Sequence, residues 1–508
     1  MKKIRNLGCL LLLVFAFLLL TACGAKQTNQ PADTQAESRD GQDIVTEGPR
    51  NDVADLPEDL NFGGKIFTIR SIVQNAAARE FEAALNGSVI DQAVYNKNRA
   101  LEETYGCLIL NNETVGNTNT DQMLQEISAM VSAGTYENQI LVTAGYRMCS
   151  LAINGLLADI YTMDAIDVGK DYYSQGYNEA LSIGESQYLI TGKLSMSYYR
   201  YMLVMFYNRT LFSDFGVEDP QELVFAQEWT MEKAAEIAQQ IYQDNGNPET
   251  NIYGYVGFVG GDSSQTDGFM SATDMRVLSK DETNYYRLDI NQNRFSGAID
   301  QILRLLYSEG SYVSTSIGNE TVQNRFTAGT AGMMAFRLYV VENSDMVGLG
   351  NTGLGYGILP LPKQDTVQED YISYVQDQCF LFGFPSSLTE EEKQLVGLFF
   401  EAFASDTYAV VKSVYYEKAL TTRYLDEPST RIMEIIDTNV YVDPINVYLS
   451  TAFSFTTGRL RQIYGDPAQY SIASILATYV TSGRLQQEVD DLNETFQSIA
   501  NGTFEASE

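Results

Sequence analysis

Between Lys65 and Gly145 the apolar spacing switches back and forth between two periods, and this limits the fold more than any other feature of the chain. Lys65-Ile66-Phe67-Thr68-Ile69-Arg70 reads as a strand, Val89 to Tyr105 as a helix stopped at Gly106, and Cys107 to Leu110 as a second strand. Met123, Ile127, Met130 and Val131 recur at helical spacing before Gly134, and Ile140 to Gly145 is an apolar run of the buried-strand kind. Strands alternating with helices predict a parallel sheet covered on both faces, with ligands bound beyond the carboxyl ends of its strands. Gly145 and Tyr146 fall at that edge.

A second unit follows, with an extended stretch from Tyr188 to Asn208 and helices predicted at Thr230 to Tyr242 and Ser296 to Glu309, the latter ended by Gly310. Strands return at Gly332 to Phe336, Tyr356 to Leu361 and Phe380 to Phe384. Thr389-Glu390-Glu391-Glu392 then forms a helix-capping box, and from Asp406 onward the chain reads mostly helical. Gly254, Gly257, Gly260 and Gly261 with Asp262 read as a flexible connection. Gly348-Leu349-Gly350-Asn351-Thr352-Gly353 matches a dinucleotide-binding spacing, yet it runs into Tyr356-Gly357-Ile358 instead of a helix, so it is expected to be a plain loop. No phosphate-binding Gly-Lys-Ser/Thr motif occurs, and no cofactor or metal site is indicated.

The amino terminus sets the address. Lys2, Lys3 and Arg5 precede an apolar run from Cys9 to Leu20, shorter than the ~20 residues of a spanning helix, which is the pattern of a signal peptide. Leu20-Thr21-Ala22-Cys23-Gly24 resembles the bacterial lipobox, which implies cleavage after residue 22 and a lipid on Cys23. Residues 23–57, rich in Gln, Asp, Thr, Asn and Pro, read as a flexible tether. Removing residues 1–22 takes away three positive charges and no acid, so the formal net charge moves from -33 to -36. That charge repels phosphates and argues against nucleic-acid partners. The chain contains no histidine, which excludes Ser-His-Asp and Cys-His catalysis and His-Glu-x-x-His zinc sites. Cys107, Cys149 and Cys379 stand far apart in apolar surroundings and are expected to be buried thiols.

Tyr207-Asn208-Arg209-Thr210-Leu211-Phe212, then Phe215-Gly216-Val217 and Glu228-Trp229-Thr230, resemble the extracellular sugar-binding proteins (family 1) of bacterial ABC importers. Phe326-Thr327-Ala328-Gly329 with Gly332-Met333-Met334 resembles a strand entry of that family, and Leu359-Pro360-Leu361-Pro362 the hinge strand after it. The resemblance covers most of residues 60–440. It implies an α/β, two-lobed periplasmic-binding-protein-like fold (type II) with hinge strands between the lobes and a helical C-terminal part. On that template 58–190 with 363–405 form one lobe and 191–362 with 406–508 the other.

Sugar recognition combines aromatic faces with planar polar side chains. On this basis Tyr146, Tyr198, Tyr199, Phe336, Arg337, Asp377 and Tyr415 are the expected ligand-binding residues, with Cys23 the lipidated one. Trp229, the only tryptophan, is expected in the core. The resemblance implies a monomeric, non-enzymatic receptor held by lipid on the outer face of a cell membrane, of the Gram-positive kind. It would deliver a carbohydrate, of oligosaccharide size, to permease subunits. A surface glycosidase using paired carboxylates, and a binding protein of the same fold for another solute, remain open at this point.

Overall fold

Ser88 and Asp91 bond each other's backbone N–H groups, at 3.1 and 2.7 Å, and so start the first helix, Val89–Tyr105; Gly106 ends it in the left-handed conformation at φ 59°. Such local signals position most of the elements that frame the site. The structure is a computed structural model describing residues 51–73, 80–116, 120–259, 264–315, 320–342, 355–411, 414, 427–449, 456–467, 471, 474 and 483–505. Cys23, Tyr415 and the 348–353 glycine run lie outside the described residues, as do residues 1–50. None of the described helices is long and apolar enough to cross a membrane.

The strands are β1 (Lys65–Val73), β2 (Cys107–Val115), β3 (Ile140–Ala144), β4 (Leu203–Asn208), β5 (Tyr253–Phe258), β6 (Leu278–Lys280), β7 (Tyr286–Leu288), β8 (Ser311–Ser314), β9 (Ala331–Arg337), β10 (Tyr356–Leu359) and β11 (Phe380–Gly383). One sheet has the order β11-β3-β1-β2 and another the order β10-β4-β9-β5-β8, while β6 and β7 form a separate hairpin. In the first sheet β1 is parallel to β2 and β3, and β11 runs antiparallel to β3. In the second, β5 is parallel to β8 and β9, and β4 runs antiparallel to β9. Each sheet thus has three adjacent parallel strands, with the first in sequence at their centre, and an antiparallel strand beside them; in the second sheet β10 follows as a fifth strand, antiparallel to β4. The antiparallel strand next to the parallel three comes directly from the other half of the molecule, so the chain crosses between the sheets once between β3 and β4 and again between β10 and β11.

Alternation along the strands divides the first core. Phe67, Ile69, Ile140 and Val142 face Leu101, Phe399, Phe400 and Phe403. Ile72 and Leu141 face Met123, Ile127 and Met148 on the other side. Phe67 and Phe399 stack at 4.0 Å. Glu401, on the helix Glu390–Val410, is buried and accepts hydrogen bonds from the hydroxyls of Tyr172 and Tyr173. Burial pushes its carboxyl up to about 7. A folded-state pKa above the unfolded value means that the native protein gains stability as pH falls from about 7 towards 4.5. Glu401→Gln is expected to remove up to about 1.4 kcal/mol per pH unit from that slope. Urea melts of both proteins at several pH values in that window would show it, and an unchanged slope would disprove it.

The resemblance motifs have plain physical reasons. Asn208 accepts from the backbone N–H groups of Thr210 and Leu211 at 3.0 and 3.2 Å and caps the helix Arg209–Asp214. Thr230 caps Met231–Ile241 by accepting from Lys233 N at 3.2 Å. Trp229 is fully buried, and its indole N–H donates to the Pro360 carbonyl at 2.9 Å, joining two of the motifs. Cys107, Cys149 and Cys379 are buried thiols, none in a disulfide.

Three expectations need correction. The glycine-rich stretch at 254 and 257 is no connection but the strand β5, inside the second sheet. A Cβ on Gly254 would lie 2.1 Å from the Ala238 carbonyl oxygen, so glycine there lets the helix Met231–Ile241 lie directly on the strand. The extended stretch from Tyr188 to Asn208 is broken by a short helix, Met196–Arg200, before β4. The helix predicted at Ser296 to Glu309 is Gln292–Leu306, started by the Asn291 side chain bonding Arg294 N at 3.1 Å, and Gly310 does not cap it.

Candidate functional site

The two crossovers run side by side. Gln376 N donates to the Tyr201 carbonyl at 3.0 Å, Leu203 N to the Tyr374 carbonyl at 2.9 Å, and Met202 bridges Val375 in antiparallel fashion. Both sheets present strand ends to this double connection. After β3, Gly145 N donates to the Cys379 carbonyl at 2.9 Å and Tyr146 N to the Asp377 carbonyl at 3.4 Å. A Cβ on Gly145 would stand 3.2 Å from the Asp377 oxygen, so a larger residue would crowd the crossover. At the end of β9, Arg337 Nη1 donates to Gln376 Oε1 at 2.8 Å and Nη2 to the Tyr339 hydroxyl at 3.2 Å.

The Arg337 guanidinium lies 5.3 Å from the Phe336 ring and 5.0 Å from that of Tyr339. Tyr339 in turn packs edge-on to Tyr201 at 6.3 Å. Burial pushes the Tyr201 phenol up to about 12 against the opposing pull of Arg337, so it stays a neutral donor. The result is a wall of arginine, glutamine and tyrosine side chains, the planar groups that suit vicinal hydroxyls and C–H faces.

Tyr146, Arg337 and Asp377 are therefore brought to one crossover. Tyr146 and Asp377 are half-buried, Tyr339 likewise, whereas Arg337 is 5% exposed. Phe336, Tyr198 and Tyr199 present almost no surface. The Tyr198 hydroxyl shares a hydrogen bond of 3.0 Å with Ser174, and the Tyr199 hydroxyl reaches Asp437 at 3.5 Å. Asp437 also pairs with Lys193 at 2.6 Å, tying the crossover to the helix Glu427–Thr438.

Sequence reasoning missed two further groups. Glu80 is buried and accepts from Ser195 Oγ and from the backbone N–H groups of Met196 and Ser197, which fixes the short helix at the crossover. Asp267, on the helix Ser264–Ala272 that follows β5, is held in a two-bonded pair by Arg461, with Nε to Oδ1 at 3.0 Å. Arg461 in turn lies within electrostatic reach of Tyr374 and Asp377. Neither carboxylate follows a motif, and their partners are remote in sequence. Among the described residues no three acidic or cysteine side chains assemble into a metal site.

No protein-family model and no curated protein sequence matches the chain. Solved structures do. A sugar transporter from Rhizobium etli, in an open conformation, superposes with a TM-score of 0.54 at 14% identity, over 85% of this chain and 99% of that one. UspC from Mycobacterium tuberculosis gives 0.53 at 11% identity, over 85% and 100%. The maltose-binding protein MalE from Listeria monocytogenes, solved with maltose, gives 0.50 at 11% identity, over 87% and 99%. Together with the two crossovers and the strand orders, these likenesses establish the architecture as the two-lobed, type II periplasmic-binding-protein-like fold.

Proposed function

We propose that this chain is the substrate-binding lipoprotein of an ABC importer, capturing a carbohydrate of oligosaccharide size and handing it to permease subunits. The observation that carries the reading is the convergence of Tyr146, Asp377, Arg337 and Tyr339 on the hinge crossover. Solved neighbours of this fold are described as a sugar transporter and a maltose complex. Lobe closure would draw its free energy from a ligand touching both halves at once. No bond is made or broken in this role, so the protein acts as a receptor and not as an enzyme; one copy holds the whole crossover group, which suits a monomer.

Calorimetry against a panel of glycans tests the reading. Tight binding of at least one oligosaccharide is expected, weakened about tenfold or more by Tyr146→Ala and by Tyr339→Ala. Binding of peptides or metal chelates with none of sugars would overturn the substrate class. Release of shortened products from a bound oligosaccharide would favour the glycosidase alternative.

The lipid anchor rests on Leu20-Thr21-Ala22-Cys23-Gly24. Two acyl chains on Cys23 suffice for stable attachment where one is marginal. A Cys23→Ala protein is expected to lose metabolic fatty-acid labelling and to leave the membrane fraction. Retention of both by the variant would remove the anchor from the proposal.

A further inference from the structure

A cavity of about 770 Å³ has none of Tyr146, Arg337, Tyr339 and Asp377 in its lining. Its walls are the helix Gln175–Leu181, the β6–β7 hairpin, Arg294, the crossover segment around Gln368 and Asp370, and the turn at 438–441. It sits beyond the C-terminal end of the helix Ser264–Ala272, where Asp274 enters the cavity wall roughly 10 Å along the axis from Asp267. The hairpin is docked across the gap, with Lys280 Nζ donating to Ser182 Oγ at 2.8 Å and Asn284 Nδ2 to the Gly184 carbonyl at 2.7 Å. Segments preceding and following the first crossover therefore both contribute walls.

The lining sets apolar residues such as Leu278, Ile372 and Val440 among charged ones of both signs. Asp274 pairs with Arg276 at 2.7 Å and with Arg294 at 3.8 Å, and Arg294 also donates to Gln368 Oε1 at 3.1 Å. Arg276 lies 4.5 Å over the Tyr441 ring. Glu179, Glu369 and Asp370 add exposed acids at the edge. Two buried polar atoms in the lining, Ser279 Oγ and Arg294 Nε, meet no hydrogen-bonding partner in the described chain. Both atoms are shielded from solvent, so the groups an incoming molecule can meet are the exposed carboxylates and the outer guanidinium nitrogens of Arg276 and Arg294. Interspersed cations and carboxylates give a charged ligand little net attraction, whereas a neutral molecule with many hydroxyls can donate to the acids and accept from the arginines. The volume is within the range of small-molecule sites.

We propose that this cavity is a second binding site, separate from the crossover cleft, for a neutral polyhydroxylated molecule of one or two sugar rings. The proposal does not depend on the sugar-capture reading of the cleft. It is tested on the full chain by calorimetry with maltose, sucrose and myo-inositol at millimolar concentration, using wild type, Ser279→Tyr to fill the cavity, Asp370→Ala at its edge, and Tyr146→Ala in the cleft. The expected result is a binding event weakened about tenfold or more by Ser279→Tyr and measurably by Asp370→Ala, yet unchanged by Tyr146→Ala. Should Ser279→Tyr disturb the circular dichroism spectrum, the exposed Asp370→Ala decides alone. Binding that survives both cavity substitutions, or no binding of any of the three probes, overturns the site. Loss of sugar capture in the cleft would instead appear as the absence of any event sensitive to Tyr146→Ala.

Discussion

Gly254→Ala is expected to destabilise the protein by about 3 kcal/mol or more, at the upper end of what overpacking a core costs. The added Cβ would lie 2.1 Å from the Ala238 oxygen and 2.3 Å from its Cα. Both are main-chain atoms within the helix Met231–Ile241, so no rotamer change relieves the clash and the helix must lift from the sheet. Gly310, just before β8, faces the same carbonyl at 2.1 Å, and Gly310→Ala should cost a similar amount. One outward movement of the helix would relieve both contacts, so the double variant should cost clearly less than the sum of the single ones. Against a total stability of about 5–15 kcal/mol these are large fractions, readable in urea melts. A Gly254→Ala protein within about 0.5 kcal/mol of wild type, or strict additivity in the double variant, would contradict this account of the packing.

The same position shows where sequence reasoning ended. Four glycines within eight residues, Gly254, Gly257, Gly260 and Gly261, with Asp262, were read as a flexible connection; what makes the first two strand residues is the helix lying on β5, which comes from elsewhere in the chain. Val89–Tyr105 was legible because its cap, its periodicity and its terminating Gly106 are all local. The interruption at Met196–Arg200 was not, because Glu80, more than a hundred residues away, holds that helix start.

The candidate site divides along the same line. Tyr146, Arg337 and Asp377 could be named as candidates because each sits where a strand ends or is about to begin, and strand ends are visible in sequence. The burial of Phe336, Tyr198 and Tyr199 depends on what packs over them. The Asp267–Arg461 pair spans 194 residues, and nothing near either residue announces the other.

That pair gives the second large effect, and its two halves are expected to be unequal. Asp267 has a side-chain exposure of 4% and Arg461 one of 36%. Removing the arginine, as in Arg461→Met, strands a carboxylate that water reaches poorly, at a cost of about 3–5 kcal/mol. Removing the acid, as in Asp267→Asn, leaves a guanidinium that can turn partly to solvent, and should cost nearer 1–3 kcal/mol. Asp267→Leu with Arg461→Met removes both charges and should restore much of the loss. Urea melts of the three variants measure all of this. The opposite order of the two single variants would mean that Asp267 is the better solvated partner, and that the helix after β5 is held at the crossover by something other than this ion pair.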